Sequence, residues 1–481
     1  MDVQSIFRML LPKSSFLRGV TYLMGGSIGA HLLVFLVSPL LTRIYSPAEL
    51  GSFALLAGII AVPALIASFR YELAIPLPES NSDALSLALL STLLVGVTGM
   101  LATLVIAVCF ALDLHSNWPL PLQEYVWLVP IGVCLGGLLN VVSNYSVRHK
   151  LYSRVASSQI KQTLASIFVQ FAGYSLGTLA LMAAQFANQV VGLLFLGREF
   201  IARLYEERPT FVDIKRVAVR YSAFPFHATI ASMLNVLSQH LPAFILSMNF
   251  GIAAAGLYAL VYRVLAVPSS MLSSAVSRVF LSQLPEASRE GRSAAFVLHG
   301  SDFLLNFSLP PVILMAILAP DIFGIIFGHE WEESGRLAQW LLLSVLFSFN
   351  VSPVSTVLYV EDRQRLNTVL QGFLFTVRLA GLLAGSIIGD AVTAIALYSI
   401  ASALGYGMYL VAIFRLSAVR LGDYFEKASV VCLWTLFLLS PLLMAKYLGA
   451  DDFSMALFAL LACFSISARL LVVLKRFSSM H

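Results

Sequence analysis

Charge is scarce in this sequence: Asp, Glu, Lys and Arg make up 11% of its 481 residues, while 59% are hydrophobic. Soluble domains carry about 25% charged residues, so a water-soluble globule is excluded. Sparse charge and long apolar runs exclude a disordered chain, a collagen and a coiled coil as well. Only four cysteines occur, Cys109, Cys134, Cys432 and Cys463. All lie in apolar runs with no CxxC pair and no clustered histidine, which leaves neither a disulfide frame nor a zinc site. No Walker loop, no GxGxxG loop before a helix and no HExxH is present, and no polar stretch is long enough for a nucleotide domain. The sequence therefore implies no enzyme, no cofactor, no metal and no nucleic-acid partner.

What it has is apolar runs. Fourteen stretches are long enough to cross a bilayer as helices: 19–42, 51–69, 84–112, 125–147, 155–175, 177–197, 222–249, 254–277, 295–319, 336–360, 366–388, 391–414, 428–447 and 453–474. A span needs about 20 apolar residues. Hydrocarbon leaves the backbone no solvent partner, so helices are required, and the alternating strands of a barrel are missing. The expected fold is an all-α polytopic membrane protein. Residues 1–18, with Arg8, Lys13 and Arg18 among apolar neighbours, read as a short interfacial helix rather than a cleaved leader.

Lys and Arg set the orientation. With the N-terminus inside, Arg43, Arg336 and Lys446 lie outside and Arg263 and Arg378 fall within spans; the other 25 of the 30 basic residues face inward. Both termini are then cytoplasmic. The longest polar insert, 198–220, is on the inner side and separates six spans from eight. The interval from Gly51 to Gly256 recurs from Pro63 to Pro268, within the matching triplets Ala61-Val62-Pro63 and Ala266-Val267-Pro268. This repeat predicts two pseudo-symmetric six-helix lobes of like topology, related by an axis along the membrane normal. The expected organisation is an N-terminal lobe 1–203, a cytoplasmic linker 204–221, a C-terminal lobe 222–415, and two further helices with a tail, 416–481.

The candidate functional residues are polar groups in apolar surroundings. Arg263 and Arg378 sit near mid-bilayer, each at a cost of about 2.5–3.5 kcal/mol, with no acidic residue mid-span to pair with. The nearest carboxylates, Glu72, Asp302 and Glu361, fall at span ends. Such arginines fit a water-filled cationic cavity for an anionic substrate; bonding to backbone carbonyls or tilting toward headgroups is the structural alternative. A guanidinium fork suits a diphosphate. Arg18 and Arg70 at the inner mouth and Arg43 at the outer mouth extend the path, or anchor helices at the interfaces. His31, Gln239 and His240 are further polar residues within spans, suited to carrying a proton or to bonding between helices.

The run Leu40-Leu41-Thr42-Arg43-Ile44-Tyr45-Ser46-Pro47-Ala48-Glu49-Leu50-Gly51 resembles the signature at the first outer loop of oligosaccharide flippases. Arg70-Tyr71-Glu72-Leu73-Ala74-Ile75 resembles the motif after their second span. Gly256-Leu257-Tyr258-Ala259-Leu260-Val261-Tyr262-Arg263, with Pro268, resembles the second-lobe counterpart. The family is that of the Wzx-type polysaccharide export proteins of the multidrug/oligosaccharidyl-lipid/polysaccharide superfamily. The resemblance implies a bacterial inner-membrane flippase. It would move undecaprenyl-diphosphate-linked oligosaccharide to the periplasmic leaflet for O-antigen, capsule or exopolysaccharide synthesis. A polysaccharide polymerase, a chain-length regulator and H+ or Na+ coupling are the implied partners. Related lipid II flippases carry basic residues in a cavity between lobes, and Arg263 best matches one of them. The first lobe departs from that pattern, with Gly58 at the repeat position of Arg263. Two other readings are a drug or cation antiporter, which needs a buried carboxylate, and a membrane polymerase or ligase, which needs an outer catalytic platform.

Overall fold

The computed structural model describes residues 15–207, 209–361, 363–449 and 452–478. The interfacial helix expected over residues 1–18 lies for the most part outside them. Among the described residues, fourteen long helices and one short one, α7, follow one another: α1 Ser15–Leu41, α2 Pro47–Ile66, α3 Asn81–Ala111, α4 Val129–Arg148, α5 Tyr152–Ala172, α6 Thr178–Glu207, α7 Phe211–Arg220, α8 Ala223–Phe250, α9 Ile252–Arg289, α10 Ser293–Phe327, α11 Glu332–Val354, α12 Gln364–Ile388, α13 Ala391–Leu416, α14 Leu421–Tyr447 and α15 Asp452–Ser478. No strand occurs among the described residues. Every expected span coincides with one of these helices, and the polar insert holds the short α7.

Among the described residues, nine helices are long and apolar enough to cross a membrane, and Gly25–Leu41, Ile252–Leu265 and Ser454–Leu470 are shorter apolar stretches. Helix α5 is the most polar of the expected spans, because Arg154, Gln159, Lys161, Gln162 and Gln170 interrupt it. One polar side chain is absorbed inside, Gln162 Nε2 donating to Ser158 Oγ at 2.9 Å, and the backbone carbonyl of Gln170 accepts from the Tyr45 hydroxyl at 2.7 Å. Helix ends outside the apolar stretches are capped by side chains. Ser46 and Glu49 form a capping box on α2, and Asp390 accepts from the Thr393 amide at 2.8 Å at the start of α13. The Thr393 bonds hold the Asp390 carboxyl below the usual range. Its cap therefore adds stability above the unfolded-state pKa, and that contribution fades as pH falls through the lower folded value.

Two compact units emerge, Met1–Ala259 and Leu260–His481. The division falls within α9, beyond the expected linker. The reason is close packing that ties α8 and the head of α9 to α2. A side chain on Gly58 would press on His240 and Phe244 of α8 at 3.2 Å. A methyl on Gly51 would overlap the Ile252 carbonyl oxygen, and one on Gly256 would overlap the Pro47 carbonyl oxygen. These are the repeat-equivalent positions. Only glycine permits the approach, and small residues at a crossing supply most of the attraction between helices in lipid.

The first unit buries Leu56, Ile60, Val95, Val133, Val141 and Met182 in one cluster. The second buries Phe280, Val297, Leu304, Phe349, Leu374 and Ile413. Helices α14 and α15 close on α10 through Leu314, Leu439, Leu442, Ala462 and Ile466. A polar clamp adds to that seam: Arg469 Nη2 donates to Asn306 Oδ1 at 3.1 Å while its guanidinium carbon stands 3.9 Å from the Trp434 ring centroid.

The glycine contacts give opposed predictions. Gly256→Ala is expected to lower stability by about 1–3 kcal/mol through overpacking. Gly25→Ala, with open space around it, is expected to raise stability by about 1 kcal/mol through helix propensity. Thermal unfolding of the two variants in detergent measures both.

Candidate functional site

A charge inside hydrocarbon needs a partner or water, and the basic residues of this chain meet that demand in different ways. Arg70 follows α2 in a tight turn in which Phe69 and Arg70 both take left-handed φ values, 49° and 61°. Side chains other than glycine adopt this region at a cost of about 1–2 kcal/mol. The reversal folds the guanidinium onto the next turn, where Nη1 lies 3.2 Å from Glu72 Oε1. Nη2 donates to Ser232 Oγ of α8 at 3.1 Å, and Ser68 Oγ donates to the other carboxylate oxygen of Glu72. The Glu72 side chain is 2% exposed. Glu72 is thus a buried carboxylate whose charge is already matched, which its position at a span end did not disclose.

Arg378 in α12 is 6% exposed. Its Nε donates to Ser402 Oγ and its Nη2 to the Tyr406 hydroxyl, both at 2.9 Å on α13. The guanidinium carbon lies 4.9 Å from the Tyr406 ring centroid and 5.6 Å from that of Tyr398. Among the described residues, hydroxyls and aromatic faces meet this cation. Sequence reasoning missed the cradle because Tyr398, Ser402 and Tyr406 read as ordinary span residues, although their spacing of four puts all three on one helical face.

Arg263, the twelfth residue of α9, stands about 16 Å along the helix from its start. It is half-buried, and among the described residues no hydrogen bond or ion pair reaches its guanidinium. It differs in this from both Arg70 and Arg378.

The remaining candidates divide by environment. Arg43 is exposed in the turn after α1. Arg18 lies in α1, its side chain outside the described residues. His31 is exposed, with Nδ1 2.7 Å from the Ser27 carbonyl of its own helix. Gln239 Nε2 donates to Asn235 Oδ1 at 3.4 Å, and its carbonyl accepts from Tyr258. His240 is half-buried against Gly58. Within the first unit, α2 and α8 therefore bring Gly58 beside His240 and Arg70 beside Ser232. Within the second, α12 and α13 bring Ser402 and Tyr406 to Arg378. Chemically, these groups offer cationic and hydroxyl donors for an anion, and no pair of free carboxylates for acid–base work.

Comparison with known proteins fits this arrangement. Residues 40–336 match the family described as polysaccharide biosynthesis protein. The succinoglycan biosynthesis transport protein ExoT of Rhizobium meliloti (strain 1021) is 25% identical over 334 residues, which cover 68% of this chain and 65% of ExoT. The match thus spans just under two thirds of that relative. Among solved structures, the lipid II flippase MurJ in an inward closed conformation superimposes with a TM-score of 0.70 at 12% identity, covering 94% of this chain and 99% of MurJ. An inward-facing multidrug resistance MATE transporter of the MOP superfamily gives 0.57 at 15% identity, covering 83% and 94%. The fold is that of these transporters.

The buried ion pair makes an asymmetric prediction. Arg70→Gln is expected to cost about 3–5 kcal/mol, because it strands the Glu72 charge, whereas the double variant Arg70→Gln/Glu72→Gln recovers most of the loss. Tyr406→Phe, which removes one bond from Arg378, is expected to cost about 1–3 kcal/mol. Denaturation midpoints of the purified variants rank the three.

Proposed function

Because the chain belongs to the polysaccharide biosynthesis protein family, we propose that it flips undecaprenyl-diphosphate-linked oligosaccharide from the cytoplasmic to the periplasmic leaflet by alternating access. The product would feed O-antigen, capsule or exopolysaccharide synthesis, and the working site is the inner membrane with both termini in the cytoplasm. A polysaccharide polymerase and a chain-length regulator are natural partners downstream.

Arg263 is the observation that carries this reading. A cation near the middle of a membrane helix, with no protein partner among the described residues, is kept at substantial cost unless an anion or water visits it. A diphosphate supplies that anion, and the guanidinium fork can hold two of its oxygens at once. The sugars follow the diphosphate through the polar path while the prenyl chain remains in lipid. Arg378, Arg43, Arg70, Arg18, His31, Gln239 and His240 line or support the path in this proposal. Arg70 and Arg378 act through geometry rather than free charge, since each is already bonded.

The membrane potential gives the direction. With the inside negative, outward transfer of each negative charge gains about 2.3 kcal/mol per 100 mV, so a doubly charged diphosphate is driven outward before any H+ or Na+ coupling. The cation-antiporter reading is weaker, because the buried carboxylate Glu72 is neutralised by Arg70 and bonded to Ser68.

The test is the leaflet distribution of the lipid-linked oligosaccharide in cells. Arg263→Ala, at normal protein level, is expected to leave the intermediate on the inner leaflet with flipping reduced at least about tenfold, one good charge-assisted contact being worth ~1.5–3 kcal/mol. Arg263→Lys is expected to retain part of the activity. Undiminished flipping by the Ala variant sinks the proposal.

A further inference from the structure

The connection from α4 to α5 contains a second concentration of positive charge, remote in sequence from Arg263 and independent of the reading above. A cavity of about 500 Å³ opens there, lined by Lys150, Ser153, Arg154, Ser157, Lys161 and Phe195. Lys150 occupies the turn in a left-handed conformation, φ 58°. Lys161 Nζ sits 3.9 Å from the centroid of the Phe195 ring on α6. Arg154 is paired with Glu199 at 3.1 Å, but among the described residues Lys150 and Lys161 have no acidic partner. Two uncompensated positive charges and two serine hydroxyls thus face one bowl. The first turn of α5, which lines it, has no acidic residue and no side-chain cap, so its amides add to the same positive field.

The face of α5 above the bowl is what identifies the occupant. Arg154, Ser157, Lys161, Leu164, Phe168 and Phe171 succeed one another at intervals of three and four, so they form a single stripe along the helix. All six are exposed. Leu164 is 50% and Phe168 71% exposed, and on α6 Leu194 is 70% exposed. The stripe changes character at Lys161, from cationic and hydroxylic to wholly apolar. From Lys161 to Phe171 it runs about 15 Å, half the thickness of a ~30 Å hydrocarbon core. A soluble anion has use for the bowl alone. A lipid uses both parts, with its phosphates among the cations and its chains along Leu164 and Phe168. The charge bias along the sequence puts the basic end of α5 at the inner face, where anionic headgroups lie and where basic pockets between helices bind them.

We propose that this pocket is a binding site for a membrane lipid whose headgroup carries two phosphate charges, matched to the free charges of Lys150 and Lys161. Its ammonium groups act as point charges on flexible stems, and the Phe195 ring holds the Lys161 stem in place. Such an occupant fills the α5–α6 groove with the lipid's own chains.

Cardiolipin is the probe, and the full-length protein in phosphatidylcholine nanodiscs with and without it is the sample. Cardiolipin retention is read by native mass spectrometry, and affinity by displacement of a fluorescent cardiolipin analogue. The expected result is retained cardiolipin on the wild-type chain and an affinity about 30-fold lower in Lys150→Gln/Lys161→Gln, with about fivefold lost in Lys161→Gln alone. Lys161→Arg keeps the charge and is expected to bind as the wild type does. Leu164→Ser/Phe168→Ser weakens cardiolipin but leaves binding of inorganic diphosphate unchanged. Lys215→Gln, an exposed lysine outside the lining, is the control and is expected to change nothing. The proposal is overturned by unchanged cardiolipin affinity in both the single and the double lysine variants, by an equal loss in the Lys215 control, or by inorganic diphosphate binding the wild type as tightly as the lipid does.

Discussion

A guanidinium in hydrocarbon keeps its charge, and whatever surrounds it has to answer that charge with dipoles, an anion or water. Much of the polar architecture of this chain follows from that demand. Arg70 is met by a carboxylate and a hydroxyl, Arg378 by hydroxyls and aromatic faces, and Arg469 by an amide oxygen and an indole. Each solution joins two or more helices, so the cations fix which helices are neighbours. Arg263 has no such answer among the described residues, and it differs in this from the other three.

Small residues set the second constraint. In lipid, helices gain little from hiding apolar surface, because the tails are as apolar as leucine, and attraction comes from close contact. Gly51 and Gly256 meet at reciprocal positions, which joins the repeat visible in the sequence to a physical contact. Gly385 follows the same rule in the second unit, where a methyl on it would stand 2.5 Å from the Ala394 Cα. The compact units divide inside α9 rather than at the polar insert because these contacts outweigh the connectivity of the chain.

Polar groups on membrane helices therefore fall into two sets. One faces inward and is consumed by packing, as are Gln162 and Glu72, both buried. The other faces outward or stays open, as do Lys150 and Lys161 at the base of α5. The first set supports the fold, and the second is available to ligands. The same residue types serve in both, so chemistry alone does not assign the role; surroundings do.

Composition and patterning alone determined that the chain is helical and membrane-spanning, because hydrocarbon admits few alternatives to the helix and a run of about 20 apolar residues has one stable use. They also located the apolar helices, since the length of an apolar run is a local property. What the tertiary structure decided was which partners meet Arg70 and Arg378. Arg378 and Arg263 read identically as mid-span cations, yet among the described residues one is cradled by Ser402 and Tyr406 and the other is not. The partners lie on other helices, 24 or more residues away for Arg378 and 162 away for the Arg70–Ser232 bond. No periodicity within one helix encodes which face of another it will meet; side-chain packing between helices selects that.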